Sequence, residues 1–178
     1  NLSGQISSNN QVMKKVIVKG NKNILKAVIN SSQNTEVYLF SSTLVYGHAK
    51  KYVSKKARYK PIDSYSRYKV LAEKVYLKSN INYKILRVSH VYDENKKGII
   101  KNLIKSTIDR KKIILPNLNM NRNFIHLIDL VALVEKIILK KTKKKIFDIE
   151  NENFTIKKII YIIEKYFNLK IDYLDKKM

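Results

Sequence analysis

The chain has 178 residues, no cysteine, a net charge of +23 and a hydrophobic fraction of 44%. This composition is typical of a globular protein of one-domain size, and it excludes a disordered chain, a disulfide-stapled scaffold and a thiolate metal site. No apolar run approaches the roughly 20 residues that a membrane-spanning helix needs, so we expect neither a membrane contact nor a metal. The lack of cysteine agrees with a cytoplasmic location.

The positive charge is spread over the whole chain. Lysines occur in pairs throughout the sequence and in one denser run over residues 140–145. This distribution favours a lysine-rich surface, of the kind that an AT-rich genome produces together with abundant Asn and Ile. Nucleic-acid binding by a basic module is therefore only an alternative, and a small anionic substrate would also benefit from the positive potential.

Helical and extended patterns alternate along the chain. The patterns predict helices over residues 11–30, 65–78, 98–110, 129–139 and 155–167, and strands over residues 36–40, 83–88, 113–115, 145–149 and 171–173. Ser64 is the expected cap of the second helix, residues 47–64 are expected to form a loop, and Pro116 should end the third strand. Strands that alternate with helices predict an α/β fold with a mainly parallel sheet.

Tyr65 and Lys69 are the first candidates for chemistry. They are four residues apart, so a helix places them on one face. A lysine ammonium near a phenol favours the phenolate and lowers the pKa of the tyrosine. Such a tyrosine can exchange a proton with a sugar hydroxyl or ketone while hydride moves to or from a nicotinamide. The spacing alone is a weak signal, because the chain has 12 tyrosines, and a tyrosine packed on an amphipathic helix would give the same pattern.

Ser42 is the next candidate, because it follows a predicted strand directly. Hydroxyl groups at the carboxyl end of a strand lie where open α/β sheets bind ligands. Ser42 precedes Tyr65 by 23 residues, with the predicted loop between them.

The ordered motifs resemble those of extended short-chain dehydrogenase/reductases, the NAD-dependent epimerase/dehydratase family that acts on nucleotide-linked sugars. Those proteins have Ser-Ser-x-x-Val-Tyr-Gly after a strand, a loop with proline, and then Tyr-x-x-x-Lys followed by x-x-x-Glu. This chain has the first motif over residues 41–47, then Pro61, and then Tyr65, Lys69 and Glu73. Further matches follow the family order at residues 20–27, 85–92, 122–129 and 147–149. The resemblance covers residues 10–175.

The resemblance implies a partial Rossmann-like, doubly wound parallel sheet with a small C-terminal substrate-binding part. Residues 1–95 would be the C-terminal portion of a dinucleotide-binding domain and would carry the catalytic residues. Residues 96–178 would contribute the substrate-binding part and the last strands of the sheet.

The resemblance also implies roles for individual residues. Ser42 would hydrogen-bond the reacting oxygen, Tyr65 would be the acid/base, and Lys69 would hold the nicotinamide ribose. The cofactor would be NAD or NADP, and the residues expected to bind it are Phe40, Tyr65, Lys69 and Val88. The substrate would be a nucleotide sugar, and the residues expected to bind it are Ser42, His90 and Arg122. A homodimer is expected too, since members often pair through the helix that bears the tyrosine.

The chain departs from the family pattern in several places. It lacks the Gly-x-x-Gly-x-x-Gly loop that holds the dinucleotide pyrophosphate, so we expect a fragment that is inactive alone, with an inactive remnant as an alternative. Four positions also carry unusual residues, namely Ile17 and His90 in place of Asn, Asp93 in place of Gly, and Tyr68 in place of Ser.

Thr43 and Leu44 narrow the reaction. The dehydratase branch has Asp-Glu at these positions, and neither Thr nor Leu can serve as the acid or base of an elimination. The sequence therefore disfavours a dehydratase and leaves a 4-epimerase or a ketoreductase.

Overall fold

The structure is a computed structural model that describes residues 7, 9–31, 34–47, 58–93, 98–115, 117–140 and 142–175. Its α-helices are α1 (Asn10–Lys14), α2 (Gly20–Asn30), α3 (Ser64–Leu77), α4 (Ile99–Ile108), α5 (Leu127–Leu139) and α6 (Ile156–Phe167). Its strands are β1 (Glu36–Ser42), β2 (Asn82–Val88), β3 (His90–Tyr92), β4 (Ile113–Leu115), β5 (Asn121–His126), β6 (Ile146–Ile149), β7 (Glu152–Thr155) and β8 (Tyr173–Asp175). A π-helical segment, Lys15–Lys19, joins α1 to α2, and a 3-10 turn, Thr43–Tyr46, follows β1.

The predicted α/β fold is confirmed. Neighbouring strands in the described part of the chain are parallel, except for the antiparallel pair β5 and β7. The strand predicted over residues 113–115 is present with those ends, and the helix predicted over residues 11–30 is divided into α1, the π-helical segment and α2. The other predicted helices and strands are present with shifted ends, whereas β3, β5 and β7 were not predicted. Pro116 and residues 48–57 of the expected loop lie outside the described residues.

The described residues divide into two compact units. Unit 1 takes those of Asn1–His48, Val53–Ser89 and Lys136–Ile149, and unit 2 takes those of Ala49–Tyr52, His90–Glu135 and Glu150–Met178. Each unit has its own sheet and its own apolar core.

Unit 1 contains a parallel sheet in the order β1-β2-β6. Alternate residues of β1 are buried, which is the pattern of a strand with one face against a helical layer. The core side chains come from the N-terminal helices, α3 and the first two strands: Met13, Ile17, Val37, Leu39, Ala72, Tyr76, Tyr83 and Ile85. This packing holds α3 against the carboxyl half of β1.

Asn21 closes the helical layer of unit 1. Its amide nitrogen donates to the carbonyl of Ile17 at 2.7 Å, within the π-helical segment, and its amide oxygen accepts from the Tyr76 hydroxyl at 2.9 Å. The Asn21 side chain therefore gives the Ile17 carbonyl of the π-helical segment a hydrogen-bond partner, as a buried backbone group requires.

Unit 2 contains a sheet in the order β3-β5-β7 and a separate pair, β4 and β8. Four isoleucines of α6 fill its core at helical spacing. They pack with residues of the other unit 2 elements, Leu103, Leu115, Phe124 and Ile171. The described helices include none with the length and apolar character needed to cross a membrane.

Candidate active site

The carboxyl ends of the unit 1 strands lie at one edge of the sheet. Ser42, the last residue of β1, pairs in register with Val88, the last residue of β2. Val88 pairs in turn with Ile149 at the end of β6. In open α/β sheets this edge is where ligands bind.

The first turn of α3 is fixed by a capping box. The Asp63 carboxylate accepts a hydrogen bond from the Ser66 backbone N–H at 2.7 Å, and the Ser66 hydroxyl accepts from the Asp63 N–H at 3.2 Å. Ser64 was expected to cap this helix, and that prediction is wrong. Asp63 has extended backbone angles, whereas Ser64 is already the first residue of the helix. The box orients the turn that carries Tyr65.

Lys69 joins α3 to the end of β1. The side chain is buried, and its ammonium donates to the carbonyl oxygen of Phe40 at 2.8 Å. The same nitrogen lies 5.6 Å from the centre of the Tyr65 ring. Burial lowers the pKa of Lys69 to about 8, and the negative charge of Glu73 opposes that shift. The structure thus brings together Phe40, Tyr65 and Lys69.

Tyr65 is half-buried in the described chain. Burial raises the pKa of its phenol, and the charge of Asp63 adds to the rise. This direction is opposite to the lowering by Lys69 that the sequence led us to expect, because loss of water penalises the phenolate. At neutral pH the phenol therefore keeps its proton, which is the form that acts as an acid.

Ser42 is buried at the end of β1. Its hydroxyl oxygen accepts from the Leu44 N–H at 3.2 Å and so caps the 3-10 turn. Because the hydroxyl is the acceptor in this bond, its own proton is left to be donated to a ligand oxygen.

Ser89 is a residue at this edge that the sequence did not single out. Its N–H donates to the Ile149 carbonyl at 3.0 Å, which extends the β2–β6 pairing by one residue. Its buried hydroxyl has no hydrogen-bond partner among the described residues. The available signal was its position directly after Val88.

His90 and Arg122 lie together in unit 2, on the paired strands β3 and β5. The Nη1 atom of Arg122 lies 3.4 Å from His90 Nε2, and the ring centres of His90 and Phe124 are 5.7 Å apart. Burial lowers the pKa of Arg122, and its Nε has no hydrogen-bond partner within the described residues. A partly desolvated guanidinium of this kind is suited to an anionic group.

His126 has a structural role in unit 2. Its Nδ1 accepts from the Ile128 N–H at 3.3 Å, and its ring makes an edge contact with Tyr92 at 5.1 Å. In the part of the chain that the structure describes, no group of three or more His, Asp or Glu side chains is arranged to hold a metal ion.

Several solved structures are similar to this chain in fold. The chain is similar to MoeE5 in complex with UDP-glucuronic acid and NAD, with a TM-score of 0.87, 17% identity, and coverage of 99% of this chain and 64% of that one. It is similar to UDP-glucuronic acid 4-epimerase from Bacillus cereus, with a TM-score of 0.85, 21% identity, and coverage of 99% and 59%. It is also similar to the Bordetella bronchiseptica enzyme WbmG, with a TM-score of 0.84, 17% identity, and coverage of 99% and 59%. At these identities the likeness establishes a Rossmann-like fold, and the chain spans about three fifths of the length of each of these proteins.

Comparison at the level of sequence gives the family. No curated protein sequence matches the chain. The model of the NAD dependent epimerase/dehydratase family matches residues 3–149, which is more than half of the 178 residues. The chain therefore belongs to the NAD dependent epimerase/dehydratase family.

Proposed function

We propose that this chain carries the catalytic part of a nucleotide-sugar epimerase or ketoreductase in which Tyr65 is the acid/base. The observation that carries the proposal is the buried Lys69 ammonium, bonded to the Phe40 carbonyl beside the Tyr65 ring. Ser42 ends the same strand, so a hydroxyl, a phenol and an ammonium belong to one edge of the sheet. Family membership supports this interpretation.

The residues present fit a nicotinamide dinucleotide, NAD or NADP. An ammonium carries three N–H donors, and the bond to Phe40 uses one of those of Lys69, which leaves donors for ribose hydroxyls. Val88 provides an apolar contact, and the Ser89 hydroxyl beside it, which has no partner among the described residues, provides a polar one. The similar MoeE5, Bacillus cereus and WbmG structures contain NAD. The nicotinamide, when bound, supplies or accepts the hydride.

The proton chemistry follows from the protein groups. A protonated Tyr65 donates to the oxygen of a ketone as that oxygen gains charge, and Ser42 donates a hydrogen bond to the same oxygen. The ammonium of Lys69 then stabilises the phenolate that remains. In the reverse direction the phenolate takes the proton of a sugar hydroxyl. A reductase needs the first direction alone, and an epimerase needs both.

The substrate that we propose is a nucleotide sugar, with His90 and Arg122 in contact with it. The MoeE5 and Bacillus cereus structures contain UDP-glucuronic acid, which is a substrate of this class. The Arg122 Nε has no hydrogen-bond partner among the described residues, and a diphosphate would provide acceptors for it. Thr43 and Leu44 argue against elimination of water, because neither side chain can serve as its acid or base.

We propose further that residues 1–95 are the C-terminal portion of the dinucleotide-binding domain and that residues 96–178 supply the substrate-binding part. The return of β6 to the edge of the β1-β2 sheet supports a contribution of the second segment to that sheet. A homodimer remains part of the proposal, and sedimentation of the whole protein tests it.

The first test is turnover by the whole natural protein with Tyr65→Phe. Loss of the phenolic proton should lower kcat by about 10² or more on UDP-sugars with NAD(H) or NADP(H). The matched control is Tyr161→Phe, the same chemical change at a residue that is 61% exposed on α6. The control should keep the activity of the unmodified protein. If Tyr65→Phe turns over at the unmodified rate, Tyr65 is not the acid/base.

A further inference from the structure

A buried carboxylate, that of Glu73, lies behind the site on α3. Its side chain is fully buried, with an exposed fraction of 0%. It accepts hydrogen bonds from two strands and from the segment before α3. The donors are the Ser41 hydroxyl on β1, the Tyr59 hydroxyl at 2.7 Å, and Arg87 on β2, through Nε at 3.1 Å and Nη2 at 2.6 Å.

Arg87 forms a buried ion pair with this carboxylate, and its side chain has an exposed fraction of 8%. Its Nη1 donates to the Tyr46 hydroxyl, and its Nη2 donates to the Tyr59 hydroxyl at 3.1 Å. The guanidinium also lies 4.8 Å from the ring centre of Tyr46 and 5.3 Å from that of Tyr59. Burial opposes its charge, but the bonds to Glu73 hold the pKa of Arg87 above its ordinary value.

Stability alone is a poor explanation for this pair. Taking two charges out of water costs several kcal/mol per ion, and apolar residues of the same volume often stabilise a core as well or better. What the pair provides that apolar residues do not is direction, since each of its bonds fixes one element relative to another.

The bonds fix α3 at the end of β1. Tyr65, Lys69 and Glu73 recur every four residues and form one stripe of the helix. Lys69 holds the carbonyl of Phe40, and one turn later Glu73 holds the hydroxyl of Ser41. Two bonds one turn apart set both the translation and the rotation of α3 over the strand that ends in Ser42.

The same pair also holds both ends of the connection from β1 to α3. Tyr46 lies in the 3-10 turn that follows Ser42, and Tyr59 lies shortly before α3. The Arg87 guanidinium bonds both hydroxyls. The backbone of this connection closes on itself as well, because the Lys60 N–H donates to the Val45 carbonyl at 2.8 Å.

We propose that Glu73 and Arg87 are positioning residues, which hold the stripe of Tyr65 and Lys69 at the end of the Ser42 strand. The inference rests on the proposed function of that site. Glu73 also has an electrostatic effect on it. Among the described residues, the charged and titratable groups next to Lys69 are Tyr65 and Glu73 on its own helix, while β1 presents the Phe40 carbonyl. Beyond Glu73 lie the Tyr59 hydroxyl, the Arg87 guanidinium of β2 and the Asp148 carboxylate of β6, which is 3.8 Å from Arg87 Nη1.

The test is Glu73→Gln in the whole natural protein, with kcat, KM and the pH profile of kcat measured. Misplacement of Tyr65 should lower kcat by about tenfold or more and leave KM within about threefold. Loss of the negative charge of Glu73 disfavours the Lys69 ammonium, so the alkaline limb of the profile should move to lower pH. Lys74→Gln, at the exposed next residue of α3, should change neither the rate nor the limb.

A merely structural role gives a different result. It lowers the melting temperature but leaves kcat per folded molecule and the alkaline limb unchanged, and that outcome overturns the proposal. If Glu73→Gln does not fold, Tyr59→Phe and Ser41→Ala decide, since each removes one bond to Glu73 and keeps the ion pair. Either should lower kcat severalfold and leave the alkaline limb in place, because the charge of Glu73 remains, and an unchanged kcat in both contradicts positioning. Loss of turnover in Tyr65→Phe with normal kinetics in these variants refutes the inference and leaves the proposed function intact.

Discussion

At the scale of single residues, the pKa of Lys69 is set by its burial in the fold. Burial lowers the pKa of its ammonium to about 8, from an ordinary value of 10.5. The proposed chemistry needs the charged form, because only the ammonium stabilises the Tyr65 phenolate. The charged form is present below this pKa and is lost as pH rises through it.

We therefore expect kcat of the whole protein to fall as pH rises through about 8. A pH–rate profile measures this limb, and Lys69→Met should remove it together with most of the activity. Lys74→Met is the control, since it removes a lysine of the same helix that is exposed. A profile that stays flat from pH 7 to about 10 contradicts the role of Lys69.

Helical spacing was enough to predict that Tyr65 and Lys69 share a face of α3. It could not predict the bond from Lys69 to the Phe40 carbonyl, because a backbone acceptor leaves no mark in the sequence. It also gave the opposite direction for the pKa of Tyr65, since that direction depends on how much water the fold removes. The Ser89 hydroxyl was missed because the burial of a side chain and its lack of a partner among the described residues depend on the fold.

At the scale of elements, Gly47 shows why the turn after β1 needs a glycine. Its φ is +87°, and an added Cβ would lie 2.6 Å from the Lys60 carbonyl oxygen. Both the left-handed backbone and the close approach disfavour any side chain.

Gly47→Ala should therefore destabilise the protein by roughly 1–3 kcal/mol, measured as the free energy of unfolding in denaturant. Gly98→Ala is the matched control. Its φ of 173° is extended backbone, and an added Cβ there would meet nothing within 4 Å. Equal losses in the two variants would mean that the backbone at Gly47 relaxes without strain.

Long periodic elements and the apolar strand β4 could be predicted from the sequence, but β3, β5 and β7 could not. The apolar spacing of residues 155–167 predicted α6, whose buried isoleucines fill the unit 2 core. β3, with 3 residues, and β7, with 4, are too short to show an alternating pattern. β5 begins with Asn121, Arg122 and Asn123, and three consecutive polar residues do not give the apolar alternation that predicts a strand.

At the scale of the whole molecule, the net charge of +23 is the feature that supports a rival function. A basic module would bind nucleic acid through its phosphates, with an affinity that falls steeply as salt is added. The proposed catalytic pair of Tyr65 and Lys69 would have no part in such binding.

We expect duplex DNA to leave turnover of the whole protein unchanged at about 150 mM salt. Weak binding should appear only at low salt and should be the same for Tyr65→Phe. Fluorescence anisotropy of a labelled duplex, followed across a salt series, measures this. Tight binding at physiological salt, with no turnover of any nucleotide sugar, would favour the rival function.

Unit 1 is discontinuous in sequence, and this has a consequence for the order in which the chain can fold. β1 and its partner β2 both lie within residues 36–88, but the other edge of β2 pairs with residues 146–149, and residues 90–135 of unit 2 lie between them. During synthesis the β2 edge therefore stays open while 57 further residues, 89–145, leave the ribosome. Closing so long a loop is slow, so the sheet of unit 1 can be completed only after residues 90–135 of unit 2 have been made.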